Sequence, residues 1–216
     1  MRPVNDAGDP KITKTNHKMK KTLFISALLL LTAMKGLCQE QSVLTMKNLL
    51  SLMPERVIPI LTHNNMLDFL DFMSANCKAE VTNRMSGKSE MTELTDSTAH
   101  IVLTESNVVD VFMVPTNENC LIYVVNTLST DSLTDSRVDV YDFVWQPADS
   151  TLQFSFENPA TYNYVSYDKS RHELTVDEVS VPLLFEGESR KDKPVVRKKH
   201  IMVWNKDKEM FCQSAI

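Results

Sequence analysis

The feature that most constrains the fold is a change of hydrophobic periodicity at Cys77. Before it, apolar residues recur at helical spacing. After it, β-branched residues alternate with polar ones and turn residues return every eight to twelve positions. Helices followed by many strands indicate an α+β fold. We predict N-terminal helices packed on a large curved antiparallel β-sheet, like a half-barrel. The alternative is a two-sheet β-sandwich with the helices at one end, since both bury one face of each strand.

Local signals place the elements. A first helix is expected over residues 43–53, and a second begins after the N-cap Thr62 and ends near Asn76. The turns Ser86–Gly87 and Ser106–Asn107 predict antiparallel hairpins, with Gly87 supplying a positive φ. Strands are predicted over residues 79–85, 89–94, 101–105, 108–114, 121–128, 137–145, 152–156, 162–167, 173–176, 182–185, 196–204 and 210–212.

The first 38 residues predict export. Lys20 and Lys21 precede an apolar run over residues 23–33, which has the length of a signal-peptide core and is too short for a membrane span of roughly twenty residues. Gly36 and Cys38 suit the −3 and −1 positions of a cleavage site. The alternative, a lipid attached to Cys38, stays open.

These signals divide the chain into two parts. Residues 1–38 are expected to be an upstream extension plus signal peptide, and residues 39–216 a single secreted α+β domain in the periplasm or on the cell surface. No second apolar run in the sequence approaches the length of a membrane span.

Composition excludes several function classes. The formal charge is −5, and the first 38 residues hold seven basic and two acidic side chains, so residues 39–216 carry −10. Nucleic acid is therefore not an expected partner. Glycine occurs in this part only at Gly87 and Gly187, which excludes a glycine-rich phosphate loop. We predict no cofactor.

Several short stretches resemble a known family. They are Lys78-Ala79-Glu80-Val81-Thr82-Asn83, Gly87, Ser89, Leu94-Thr95-Asp96, Asp135-Ser136 and the segment from Tyr141 to Trp145. The chain resembles a family of uncharacterised secreted Bacteroidales proteins, a domain of unknown function. The resemblance implies a compartment and a bacterial group, and carries over no catalytic residue.

Two groups of residues are candidates for binding. The aromatic group could stack on sugars or grip a peptide, although its side chains would also suit a core and a half-buried strand. It comprises Phe154, Phe156, Tyr162, Tyr164 and Tyr167. The basic group could meet an anionic partner, or could protect an edge strand from aggregation. It comprises Lys191, Lys193, Arg197, Lys198, Lys199 and His200, of which Lys198 and Lys199 are the leading candidates.

Metal and thiol chemistry have weaker signals. Asp131, Asp135 and Asp139 are candidate ligands for calcium, with a solvated acidic loop as the alternative interpretation. Cys77, Cys120 and Cys212 are expected to be buried and reduced, with a Cys77–Cys212 disulfide as the alternative.

Three functions fit this sequence. The first is a non-catalytic binding or carrier module of the cell envelope, holding an apolar or anionic ligand. The second is an interaction or assembly module that docks an envelope protein through an edge strand or aromatic patch. The third is a hydrolase of envelope polymers, because a carboxylate pair leaves no linear signature.

Overall fold

The computed structural model describes residues 44–131, 133–149, 161–181 and 195–214. Within them, two helices precede ten strands. Helix α1 spans Met46–Ser51 and helix α2 spans His63–Ser74. The strands are β1 Ala79–Thr82, β2 Lys88–Leu94, β3 Thr98–Thr104, β4 Asn107–Pro115, β5 Cys120–Ser129, β6 Thr134–Asp142, β7 Thr161–Asp168, β8 Glu173–Ser180, β9 Val196–Asn205 and β10 Met210–Gln213. The strands predicted over residues 152–156 and 182–185 lie outside the described ranges.

Helix α2 begins where its sequence predicts. The Thr62 hydroxyl accepts from the Asn65 amide at 3.0 Å, and the Asn65 side chain accepts from the Thr62 amide at 3.0 Å. This reciprocal capping box satisfies two amides that a helix start leaves unpaired. Asp68 and Asp71 are exposed on the side opposite the buried Met66. Neither α1 nor α2 is long and apolar enough to cross a membrane.

All strand pairs are antiparallel and follow chain order. Six strands form one sheet in the order β1-β2-β3-β4-β5-β6, and four form a second in the order β10-β9-β8-β7. The predicted α+β class, with helices on a large antiparallel sheet that does not close into a barrel, is confirmed. The second sheet adds the face-to-face packing of the sandwich alternative, but the helices cover a sheet face rather than an end.

The six-stranded sheet is covered on both faces. Alternate residues of β3, namely Ala99, Ile101 and Leu103, are buried in a core with both helices. The opposite face carries Phe112 and Tyr123, which join a second core with residues of the four-stranded sheet. The part of the chain from Leu44 onward is therefore layered as helices, six-stranded sheet and four-stranded sheet.

Strand β7 crosses the second face of the six-stranded sheet. Its inward Tyr167 ring stacks on Phe112 of β4, with ring centroids 3.9 Å apart. Beyond the end of β7, Lys169 Nζ donates to the Thr95 hydroxyl at 3.2 Å, in the turn between β2 and β3. Strand β7 thus starts near β6 and ends near β2, so its second half lies beside the polar part of β3 and β4.

Between β6 and β7, side chains of β6 accept the hydrogen bonds that backbone carbonyls would accept in a regular β-ladder. The Asn163 amide donates to Asp135 Oδ1 at 2.9 Å, and the Val165 amide donates to Ser136 Oγ at 3.1 Å. Ser136 Oγ also lies 2.8 Å from the Thr127 hydroxyl. Since buried backbone amides need acceptors, these two side chains let β7 leave the plane of the first sheet without orphaned donors.

Four local predictions need correction. The turn between β3 and β4 is Glu105–Ser106 and not Ser106–Asn107, because Asn107 begins β4 and pairs with Thr104. The left-handed residue of the first hairpin is Ser86, with φ 63°, and not Gly87. Gly87 instead lies against Asn83, whose side chain would come within 3.4 Å of an added Cβ and whose Oδ1 accepts from the Gly87 amide at 3.0 Å. Strand β6 ends at Asp142 rather than residue 145, because the Asp142 side chain accepts from the amides of Val144 and Gln146 and turns the chain. Helix α1 is shorter than the predicted 43–53.

The three cysteines in the described part of the chain are free, and they differ in exposure. Cys120 is buried, Cys212 is intermediate and Cys77 is exposed. The prediction of burial is therefore right for Cys120 and wrong for Cys77, which follows the end of α2 at the surface. Burial, with a smaller contribution from Asp142, raises the pKa of the Cys120 thiol to about 11.

Candidate functional site

The first candidate is a solvent-open cleft of about 460 Å³, here called the basic cleft. One wall is the end of the β5–β6 turn, and the others come from β7, β8 and β9. Its lining residues are Leu133, Thr134, Tyr164, Asp177, Glu178, Val179, Arg197, Lys198 and Lys199. The volume lies within the range of small-ligand sites.

Strand register assembles the cleft. Tyr164 of β7 lies opposite Asp177 of β8, which lies opposite Lys199 of β9. Directly opposed residues of antiparallel strands share a sheet face, so an aromatic ring, a carboxylate and an ammonium stand in one row. Tyr164 is 43 % exposed. The row offers a stacking surface, a hydrogen-bond acceptor and a cation to one ligand.

The basic residues of β9 differ in their partners. Glu178 lies 4.0 Å from Lys198 Nζ and 3.1 Å from His200 Nε2, so its charge is directed to these two groups. Arg197 and Lys199 line the cleft and make no ion pair within 4.0 Å among the described residues. These two side chains therefore carry the positive charge that a ligand would meet first.

The second candidate is a groove of about 360 Å³ between β7 and the polar part of β2, β3 and β4, here called the histidine groove. Its polar lining includes Glu93, Thr98, His100, Asp110, Tyr164, Ser166 and Lys169. Tyr164 thus belongs to both the histidine groove and the basic cleft. Tyr167 forms part of its floor, and burial, with a smaller contribution from Asp168, raises its pKa to about 12.

His100 and Asp110 form the most defined polar pair of this groove. They are directly opposed on β3 and β4, and His100 Nδ1 lies 2.6 Å from Asp110 Oδ1. Both side chains are partly exposed, at 35 % and 44 %. A carboxylate on one ring nitrogen fixes the orientation of the imidazole and leaves the other nitrogen for a ligand.

A third cleft, of about 360 Å³, adjoins the histidine groove and shares Tyr167 and Lys169 with it. Leu44, Met113, Pro115 and Cys120 give it an apolar wall. His172 closes one side, and its Nδ1 lies 3.0 Å from the Tyr167 hydroxyl.

The structure divides the predicted aromatic group. Tyr164 lines the basic cleft, and Tyr162 is exposed on the same strand, opposite Val179. Tyr167 points inward onto Phe112 and packs in the core. Phe154 and Phe156 lie outside the described residues. Both leading basic candidates, Lys198 and Lys199, line the basic cleft with Tyr164, although nothing in the sequence connected the tyrosine to the lysines.

The three aspartates of the predicted cation site have separate surroundings. Asp131 is exposed in the β5–β6 turn. Asp135 accepts from the Asn163 amide, and Asp139 accepts from two nitrogens of Arg137 at 2.9 and 3.1 Å. In the described ranges, no group of three or more His, Cys, Asp or Glu side chains could hold a metal ion. The calcium prediction gains no support from this part of the chain.

Sequence reasoning missed the His100–Asp110 pair for an identifiable reason. A regular ladder from Thr104↔Asn107 would place His100 opposite Val111. The register shifts by one residue between Val102 and Thr104, and this bulge brings His100 opposite Asp110 instead. The predicted hairpin correctly makes β3 and β4 neighbours, but the sequence does not mark the position of the bulge.

Fold and clefts together define a layered α+β domain with ligand-sized surface clefts and no assembled metal centre in the described residues. The chain belongs to the family described as protein of unknown function (DUF3256), which matches residues 38–207. A solved domain of an uncharacterised protein from Porphyromonas gingivalis W83 is similar, with TM-score 0.62 and 18 % identity, covering 79 % of this chain and 98 % of that one. No curated protein matches the chain. The predicted resemblance to an uncharacterised Bacteroidales family is confirmed, and the structural likeness shows a shared fold.

Proposed function

We propose that the chain is an exported, non-catalytic binding module of the cell envelope, with the basic cleft as its site for an anionic ligand. Export rests on the predicted signal segment before residue 39. The observation that supports binding most directly is the row of Tyr164, Asp177 and Lys199, extended by Arg197.

The contrast of charge supports an anionic ligand. Residues 39–216 are strongly acidic, yet Arg197 and Lys199 stand side by side in the basic cleft without an ion-pair partner within 4.0 Å among the described residues. A cation facing a ligand-sized cleft attracts negative charge, and this attraction weakens as ionic strength rises. The exposed Tyr164 ring adds contact area that does not depend on salt.

The geometry favours binding at the surface over an enclosed carrier pocket and over a hydrolase. The clefts around β7 are open to solvent, and the side chains beneath them fill the two cores. A hydrolase of glycosidase type needs a carboxyl group with a raised pKa. Glu55, Glu80 and Asp168 each have a pKa below its usual range, which is the opposite of what a general acid needs.

The test begins with the protein purified from its native envelope fraction, with intact mass recorded under native and then denaturing conditions. We expect a polypeptide beginning at Gln39 and an extra mass that is lost on denaturation. The double variant Arg197→Ala/Lys199→Ala should lose the extra mass. Lys206→Ala/Lys208→Ala is the matched control, because it also removes two exposed positive charges, from the turn of the same hairpin outside the cleft.

Each result has a distinct meaning. A bare polypeptide mass under both conditions would contradict tight binding in the envelope. An extra mass that persists in the double variant would place the ligand elsewhere. A chain that begins at an acylated Cys38 instead of Gln39 would show a lipid anchor and contradict cleavage after Cys38.

A further inference from the structure

The basic cleft and the histidine groove are adjacent, because Tyr164 lines both of them. The basic cleft extends from this ring toward Arg197 and Lys199 on β9. The histidine groove extends from it toward His100 and Asp110 on β3 and β4. Along β7, the groove continues from Tyr164 to Tyr167, a distance of about 10 Å at the rise of an extended strand. A ligand that stacked on Tyr164 could therefore reach both sides.

Resting on the proposed function of the basic cleft, we propose that these two clefts form one elongated site for a linear acidic oligosaccharide. One acidic sugar unit lies in the basic cleft with its carboxylate against Arg197 and Lys199. A neighbouring unit lies in the histidine groove with its hydroxyl groups against His100 and Asp110. The Tyr164 ring stacks at the junction.

The polar lining suits a ligand rich in hydroxyl groups. Sugar hydroxyls both donate and accept, so a site that binds them needs both kinds of partner. The histidine groove has acceptors at Asp110 and Glu93, and donors at Lys169 and His100. The basic cleft adds the Asp177 carboxylate between Tyr164 and Lys199. Each cleft therefore offers a sugar several hydrogen-bonding groups in addition to its charged side chains.

Strand β7 itself argues against an extended peptide in this site. Peptides that bind at a sheet edge pair with free backbone amides of the edge strand. Here the outward amides of Asn163 and Val165 already donate to Asp135 and Ser136. A peptide therefore finds no free amide for strand pairing at these two positions, whereas an oligosaccharide can bind through the side chains beside Tyr164.

The experiment compares ligand lengths by isothermal titration calorimetry on the purified chain from Gln39 to Ile216. The probes are galacturonate, linear tetragalacturonate, neutral cellotetraose and a tetraglutamate peptide. We expect tetragalacturonate to bind about a hundredfold more tightly than the monomer, because the second unit binds from an already tethered chain. Tyr164→Ala should weaken tetragalacturonate binding about tenfold. His100→Ala should weaken the tetramer about tenfold and leave the monomer unchanged, and Lys206→Ala should change neither.

The outcomes separate this inference from the proposed function. If the tetramer binds no better than the monomer and His100→Ala changes neither, the elongated site is refuted while an anion site in the basic cleft stands. If tetraglutamate binds and tetragalacturonate does not, the ligand is an acidic peptide and the oligosaccharide assignment fails. If cellotetraose binds as well as tetragalacturonate, the acidic assignment fails. If none of the probes binds, the elongated acidic-saccharide site is overturned, and the native-mass measurement decides the proposed function independently.

Discussion

The turn after β6 allows a quantitative test of how the helices are held to the sheet. Trp145 is 1 % exposed, and its indole Nε1 donates to the Leu49 carbonyl of α1 at 2.9 Å. The ring also packs against Tyr141, with ring centroids 5.7 Å apart. Its own carbonyl accepts from Arg56, and its φ of 62° is unusual for a large side chain. One residue thus ties the turn, α1 and the loop after α1 together.

The substitution Trp145→Phe separates the hydrogen bond from most of the packing. The Leu49 carbonyl keeps its bond from the Leu52 amide at 3.1 Å, so it is not orphaned. The loss is therefore near an ordinary net hydrogen bond, about 1 kcal/mol. The smaller ring adds about 1 kcal/mol of lost burial and packing. We expect the free energy of unfolding to fall by about 2 kcal/mol, and by about 3–5 kcal/mol for Trp145→Ala.

Urea denaturation followed by circular dichroism measures these differences from the midpoint at unchanged m. Because the chain has two tryptophans, Trp204 remains as a fluorescent reporter in both variants. Val144→Ala is the control, since Val144 is 54 % exposed in the same turn and should change stability by less than about 0.5 kcal/mol. A Trp145→Phe midpoint equal to that of the control would refute the claim that the indole holds α1 to the sheet.

Three further predictions concern the rest of the chain. Thr62→Ala removes the cap of α2 and should lower the free energy of unfolding by about 1 kcal/mol in the same assay, whereas an unchanged midpoint would show that the capping box contributes nothing. In the folded protein, Cys77 should react with Ellman's reagent at pH 8 while Cys120 stays unreactive, and equal rates would contradict the raised pKa and burial of the Cys120 thiol. The His63 amide and Arg84 hold the pKa of Glu55 below its usual 4.5, so the stability from this carboxylate is present above pH 4.5 and is lost as pH falls through the lowered pKa. Glu55→Gln should therefore flatten the fall in stability below pH 4.5, and an unchanged pH profile would exclude this contribution.

Much of the fold could be predicted because its signals are local. Thr62 and Asn65 are three residues apart and cap one helix, so a short stretch of sequence contains the complete signal. The alternation in β3, with Ala99, Ile101 and Leu103 facing the helices, likewise needs no information from distant residues. Such features give helix starts and strand positions within a few residues.

The candidate site was less predictable because it depends on contacts between distant strands. Tyr164 and Lys199 are 35 positions apart in the sequence, and two ladders of strand pairing bring them into one row. His100 meets Asp110 through a bulge whose position the sequence does not mark. The sequence identified Tyr164 and Lys199 as candidate binding residues, but it could not show that they line the same cleft.

The break between the two sheets explains why the clefts exist. If β7 continued the ladder of β6, it would lie beside β6 at the usual strand spacing of about 4.8 Å, and its side chains could not reach β4. Instead, Asp135 and Ser136 accept the hydrogen bonds of two β7 amides, and Tyr167 stacks on Phe112, two strands away from β6. The strand therefore lies across the sheet face, with Tyr164 on one side of the crossing above the His100–Asp110 pair and beside the basic residues of β9. The same two polar side chains that allow the second sheet to form also position the ring shared by the basic cleft and the histidine groove.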